Sequence, residues 1–147
     1  MMKLYLMRHG QAASSQVDPE QGLTAEGRTE IEQLAARLAT QGIHPARIFH
    51  SEKTRAQQTA HIMANTLAPP LNPKMKKGLK PNDDPAALLD EIESWDTDTL
   101  VVSHLPFVPG LLSLLTGQEY GMGYAPGTIF CLSKVNGVWQ IEWVESP

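Results

Sequence analysis

The sequence predicts a three-layer α/β/α sandwich around a mostly parallel sheet that ends in an antiparallel hairpin. Three observations predict it. Short apolar runs near the start and near position 100 have the character of strands covered on both faces. Stretches of helical spacing separate such runs, and the tail switches to period-two alternation around Asn136-Gly137.

Each element follows from local chemistry. Lys3-Leu4-Tyr5-Leu6-Met7 reads as a first buried strand. A loop rich in Gln, Ser and Asp leads to Thr24, an N-cap candidate, and Glu26 favours the positive end of the helix dipole. Ile31, Leu34, Ala35 and Leu38 recur at helical spacing, and Gly42 suits the exit. Arg47-Ile48-Phe49-His50 is a second strand. Ser51 is read as the N-cap of a helix carrying Arg55, Ala56, Ala60 and Met63, which Leu67-Ala68-Pro69-Pro70 ends. A third strand is expected over 72–77. Asp84-Pro85 opens a helix with the apolar face Leu88, Leu89, Ile92 and Trp95. A strand over 99–103 and a helix over 106–115, closed by Gly117, follow. The hairpin is expected over 128–134 and 138–145, with Trp139, Ile141 and Trp143 sharing one buried face. Loops 69–85 and 119–126 are placed near the site. Neither marks a boundary, so residues 1–147 are read as one domain.

The bulk numbers exclude several classes. A chain of 147 residues, 41% hydrophobic and 19% charged, can bury a real core. A net charge of -4 argues against a nucleic-acid binder or an anionic-membrane binder, so neither partner is expected. The single cysteine, Cys131, precludes an internal disulfide and reads as core packing. No apolar stretch is long enough to span a bilayer, and the first apolar run reaches Arg8 too soon for a signal peptide. The protein is expected in the cytoplasm.

The chemistry-bearing residues are Arg8-His9-Gly10 after the first strand, His104 after the strand at 99–103, and Arg55 between them. In a parallel sheet, carboxyl strand ends open onto one crevice, so two histidines and two arginines should converge there. That set suits phosphoryl transfer. Arginine forks bind two oxygens of a charged phosphoryl group at once, so Arg8 and Arg55 are the expected clamps. A neutral imidazole can attack phosphorus, and adjacent guanidinium charges favour the neutral form, which points to His9 as nucleophile. His104 is the expected donor to the moving phosphoryl group. Gly10, lacking a β-carbon, is expected to bring its backbone close to the phosphate. Ser51 is expected to lend helix N–H groups, and Gln11 either contacts the site or steadies its loop.

These segments resemble the histidine phosphatase superfamily, whose fold is phosphoglycerate-mutase-like. Beside Arg8-His9-Gly10 and His104, Leu23-Thr24-Ala25-Glu26-Gly27 resembles its Leu-Thr-x-x-Gly segment. Ser51-x-x-x-Arg55-Ala56-x-Gln58-Thr59 resembles its Ser-x-x-x-Arg-Ala-x-Gln-Thr segment. Order and spacing match over nearly the whole chain. The resemblance implies His9 as the phosphorylated nucleophile, with Arg8, Arg55 and His104 completing the phosphate pocket, and independence from metal and cofactor. Small size and Ser103-His104-Leu105-Pro106 look most like the SixA branch of protein phosphohistidine phosphatases. Two departures stand out. Glu52 replaces a common proline, with little functional effect expected. No Glu lies in the 79–85 loop, where many members carry an acid for the leaving alkoxide. Asp83 is the remaining candidate acid, since Asp84 serves as N-cap. An imidazole leaving group needs less acid than an alkoxide, which favours phosphohistidine on a protein as substrate.

The expected activity is thus a metal-independent phosphatase acting through phospho-His9, as a monomer, on a phosphorylated protein. The alternatives are a small-molecule phosphomonoesterase with the same pocket and, further off, a non-catalytic phosphoprotein-binding module. The chain is short for a mutase. His44, His50 and His61 read as structural, and no His-x-x-x-His pair or carboxylate cluster suggests a metal. Lys74, Lys76, Lys77 and Lys80 read as a solvated edge strand or, more sharply, as a docking surface for an acidic phosphoprotein.

Overall fold

A computed structural model describes residues 2–147. Its elements are β1 (Lys3–Arg8), α1 (Ala25–Thr40), β2 (Arg47–His50), α2 (Thr54–Leu67), β3 (Lys74–Met75), a 3₁₀ turn (Pro85–Leu88), α3 (Leu89–Ser94), β4 (Thr99–Ser103), α4 (Phe107–Thr116), β5 (Ile129–Val135) and β6 (Val138–Glu145). They build one six-stranded sheet in the order β3-β2-β4-β1-β5-β6. The β1–β4, β4–β2 and β2–β3 pairs are parallel, and β5 and β6 add antiparallel.

Alternation along each strand divides the apolar side chains between two cores. Tyr5, Met7, Ile48, Leu100, Val102, Ile129 and Cys131 face α1 and α2. Leu4, Leu6, Val101, Phe130 and Leu132 face α3, α4 and the 3₁₀ turn. All five β4 residues are buried, as a central parallel strand requires. Helices on both faces make the expected three layers.

Local signals explain the boundaries. Thr24 Oγ1 accepts the Gly27 N–H and starts α1, and Asp84 caps the 3₁₀ turn through Ala86 N–H. Gly117 at φ 75° closes α4. Asn136 and Gly137 at φ 53° and 81° make the hairpin turn of positive φ that Asn-Gly favours.

Four expectations are corrected. Ser51 is not a cap: α2 starts at Thr54 behind Lys53, because Ser51 N–H continues the sheet bonding to Val102 O. The third strand shrinks from 72–77 to Lys74–Met75, pairing only with Phe49 and His50. The segment from Asp84 begins as 3₁₀ before turning α-helical at Leu89. Trp143 does not share a face with Trp139 and Ile141. Cys131 opposes Trp143 while Leu132 opposes Ile141, so Glu142 is a bulge that flips the alternation. Trp143 therefore packs with Tyr5 on the α1/α2 side, whereas Trp139 and Ile141 join the α4 side.

Candidate active site

Strand register alone assembles most of the site. Arg8 pairs with Ser103 across β1 and β4, so His9 and His104 are the next neighbours beyond the paired ends. His50 pairs with Val102, which places Ser51 beside the end of β4. His9 N–H donates to Ser103 O and Ser51 N–H to Val102 O, extending the ladder one residue into the crevice. The two imidazole centroids lie 5.0 Å apart, and both rings are buried.

His9 is oriented by its neighbour. Its Nδ1 lies 2.7 Å from Gly10 O, a carbonyl that can only accept. Nδ1 therefore carries the proton, and Nε2 of the neutral ring carries the lone pair. Burial is the largest cause holding the His9 pKa down to about 4, with the Arg55 and Arg8 charges adding to it. The His104 pKa falls to about 3, again mainly by burial, with His9, Arg55, Lys53 and Arg8 contributing. The arginine charges emphasised by sequence thus rank second to desolvation.

The arginines come from different elements. Arg8 ends β1 and donates from Nη1 to Tyr124 O at 2.6 Å, which ties the 119–126 loop to the site, while its Nε is buried without a partner. Arg55, in the first turn of α2, lines a cleft of about 310 Å³ with Lys53, Lys80, Pro81, Asn82 and Asp83. Burial lowers both arginine pKa values. Ser103 Oγ donates to Leu79 O at 2.6 Å, next to Lys80 in the segment that lines the cleft. A somewhat larger cavity, about 350 Å³, lies between Thr116, Tyr120 and Trp139 and contains none of the proposed chemistry.

Gly10 corrects its expectation. Its N–H donates to Thr59 Oγ1 at 3.0 Å and so faces α2 rather than an open phosphate site. A β-carbon there would stand 2.8 Å from Ile31 Cγ1, so packing against α1 is the reason for glycine. Gln11 is scaffold: its Oε1 accepts from Thr24 Oγ1 at 2.7 Å and its carbonyl accepts Thr24 N–H. Ser51 enters the site through its side chain, with Oγ 2.6 Å from His104 Nε2. Asp83 lines the Arg55 cleft, but Oδ2 already accepts Lys80 N–H at 2.9 Å in its own turn.

Gln58 and Thr59, named above only within the motif, both brace the site from α2. Gln58 Oε1 accepts Leu23 N–H, and Thr59 Oγ1 donates to Arg55 O while receiving Gly10 N–H. For Thr59, polarity on a helix face otherwise turned to the core was the available signal. His44 and His50 bond to backbone carbonyls of Leu67 and Ser51. Lys74 lies on the edge strand and Lys76 pairs with Glu91, which accounts for half of the lysine cluster structurally. Among the described residues, no group of three or more His, Cys, Asp or Glu side chains is placed to hold a metal.

A buried pair of imidazoles with one guanidinium group from a strand end and another from the first turn of α2 defines a phosphate-handling class, and that class has a family. The chain belongs to the histidine phosphatase superfamily, branch 1, whose family model matches residues 4–80, more than half its length. Within that superfamily it is of the SixA type. The solved protein histidine phosphatase SixA, complexed with tungstate, superposes with a TM-score of 0.86 at 27% identity, covering 99% of this chain and 97% of that one. A phosphohistidine phosphatase SixA homolog of Haemophilus influenzae is 29% identical over 140 aligned positions, 87% of this chain and 85% of the relative. An uncharacterized Picosynechococcus protein is 37% identical over 112 positions, 71% and 67% of the two chains. A phosphoserine phosphatase of Entamoeba histolytica shares the fold, with a TM-score of 0.76 at 16% identity over 98% and 96% of the chains. No helix among the described residues is long and apolar enough to cross a membrane.

Proposed function

We propose that this hydrolase removes phosphate from phosphohistidine on a protein through a phospho-His9 intermediate. The observation that carries the reading is the His9 Nδ1 to Gly10 O contact, which leaves Nε2 as a lone pair inside a buried, cation-lined crevice.

In the first step Nε2 attacks phosphorus and the substrate P–N bond breaks. A substrate imidazole protonated on its far nitrogen leaves neutral, so no enzyme acid is required. Arg8 and Arg55 balance the peripheral charge of the moving group, and His104 donates to one of its oxygens. Throughout, His9 keeps its Nδ1 proton on Gly10 O. Water then attacks phospho-His9, the Nε2–P bond breaks, and the ring leaves as neutral imidazole. The proton released by water goes to the phosphate or to solvent. No metal or cofactor enters these steps. The open cleft at Arg55, with Lys53 and Lys80 on its rim, suits an acidic phosphoprotein docking on a monomer.

A second reading has one observation in its favour. Asp83 lines the same cleft as Arg55, where a carboxyl group could protonate an alkoxide leaving from a small phosphomonoester. The test offers a phosphohistidine protein, an aromatic phosphate ester and sugar phosphates, all with chelator, to wild type and to His9→Ala. Fastest turnover of the phosphohistidine protein, abolished by His9→Ala, is the expected result. Faster cleavage of sugar phosphates transfers the reading to the small-molecule esterase. Phosphoprotein binding with no turnover makes the chain a binding module.

A further inference from the structure

His104 is 1% exposed, and its neutral ring has one N–H to give. Nε2 faces Ser51 Oγ at 2.6 Å, and that oxygen also receives the Lys53 N–H at 3.2 Å. Ser51 is itself fully buried, and its hydroxyl has no other neighbour to donate to. Nδ1 of His104 is buried without any partner.

Two proton placements are open, and hydrogen-bond accounting separates them. If Nε2 carried the proton, Ser51 would accept twice. Its own hydroxyl proton would then be stranded, and Nδ1 would be a bare buried lone pair. If Ser51 donates to Nε2, every polar atom from the Lys53 N–H through Ser51 Oγ to His104 Nε2 is matched. A single orphan remains, an N–H on Nδ1. Each stranded buried group opposes folding, so the arrangement with one orphan is preferred.

We propose that Ser51 is a positioning residue that fixes His104 as the Nδ1–H form, so that its one free donor is kept for an oxygen of the transferring phosphoryl group. The catalytic half of this rests on the reading of His9 as nucleophile; the tautomer itself does not. The two imidazoles then hold complementary forms: His9 offers a lone pair and His104 offers a proton. The Lys53 N–H has a second effect. It takes one lone pair of Ser51, and the hydroxyl proton is then matched by His104 Nε2.

The test is ¹⁵N NMR of the His104 ring in the full chain at neutral pH, with steady-state kinetics on an aromatic phosphate ester. Wild type is expected to show a protonated Nδ1 and a bare Nε2. Ser51→Ala should move the ring toward the Nε2–H form that free histidine prefers and lower kcat about ten- to hundredfold with KM little changed. Ser51→Thr retains the hydroxyl and should restore both the tautomer and most of kcat. A bare Nδ1 in wild type overturns the proposal, as does a Ser51→Ala ring still protonated at Nδ1 or a Ser51→Thr ring that is not. If Ser51→Ala fails to fold, the wild-type and Ser51→Thr spectra decide. A protonated Nδ1 in a protein that never phosphorylates His9 supports the tautomer assignment and removes the function reading.

Discussion

The carboxyl ends of β1, β2 and β4 and the β5–β6 hairpin treat polar groups in opposite ways. At the strand ends, buried donors are left idle: Arg8 Nε and His104 Nδ1 have no partner, and His9 Nε2 is a bare lone pair. Along the hairpin, Lys3 Nζ and Ser133 Oγ both donate to Glu142 Oε1, and Lys134 pairs with Glu93. Among the described residues, the buried Trp139 indole N–H is left unmatched there. An unmatched buried polar group is a cost to folding. Two of them beside one lone pair mark a place where stability is spent on a ligand, whereas the hairpin's pairs serve the fold. Changes at the strand ends should therefore act on chemistry, and changes at the hairpin on stability.

The largest break is His9→Ala. Loss of the nucleophile should lower kcat by about 10⁴-fold or more and abolish acid-labile phosphoenzyme, with the thermal midpoint unchanged or raised. Rapid-quench labelling and calorimetry read both halves, and a lowered midpoint with residual labelling would erase the contrast. Arg55→Ala comes next, with kcat/KM down about 10²–10³-fold and little change in midpoint. Denaturant unfolding alongside kinetics checks it.

The hairpin arm predicts the reverse pattern. Trp143→Ala removes a half-buried indole packed on Tyr5 at 6.1 Å and should cost about 2 kcal/mol while kcat at permissive temperature holds. A loss of activity larger than the loss of folded protein would show that the bulge reports to the site. Glu142→Ala should cost under about 1 kcal/mol, because its ion pair with Lys3 is half-exposed and screened.

The smallest expected change is itself diagnostic. With its pKa held down to about 4, His9 should stay neutral between pH 7 and 5, whereas an unperturbed histidine would protonate. The His9 ring signal in an NMR titration should hold through that window, and a midpoint near the ordinary value would refute the burial argument. Because the unfolded ring takes up its proton first, His9's contribution to stability is undiminished above about pH 6.5. It shrinks as pH falls toward about 4.

Much of this was legible because the signals are local. Thr24, Asp84, Gly117 and Asn136-Gly137 act within a few residues, and their caps and turn formed as chemistry demands. Convergence at the strand ends was also legible, since a parallel sheet aligns its carboxyl ends whatever lies between. The misreadings share one cause. Ser51 looked like a cap because serine bonds nearby N–H groups, yet its hydroxyl meets His104 from 53 residues away. Gly10 looked open because it lacks a side chain, yet Ile31 and Thr59 fill its surroundings. Trp143 looked to share a face with Trp139 because alternation assumes no bulge.

Residue types and spacing determined by themselves the layered architecture, the family resemblance and the gathering of His9, His104, Arg8 and Arg55 at the carboxyl ends of the parallel strands. Only the tertiary structure decided which nitrogen of His9 is bare, what Ser51 touches, and on which side of the sheet Trp143 packs. Those are matters of hydrogen-bond partners and register between distant segments, and a one-dimensional pattern carries periodicity but not partners.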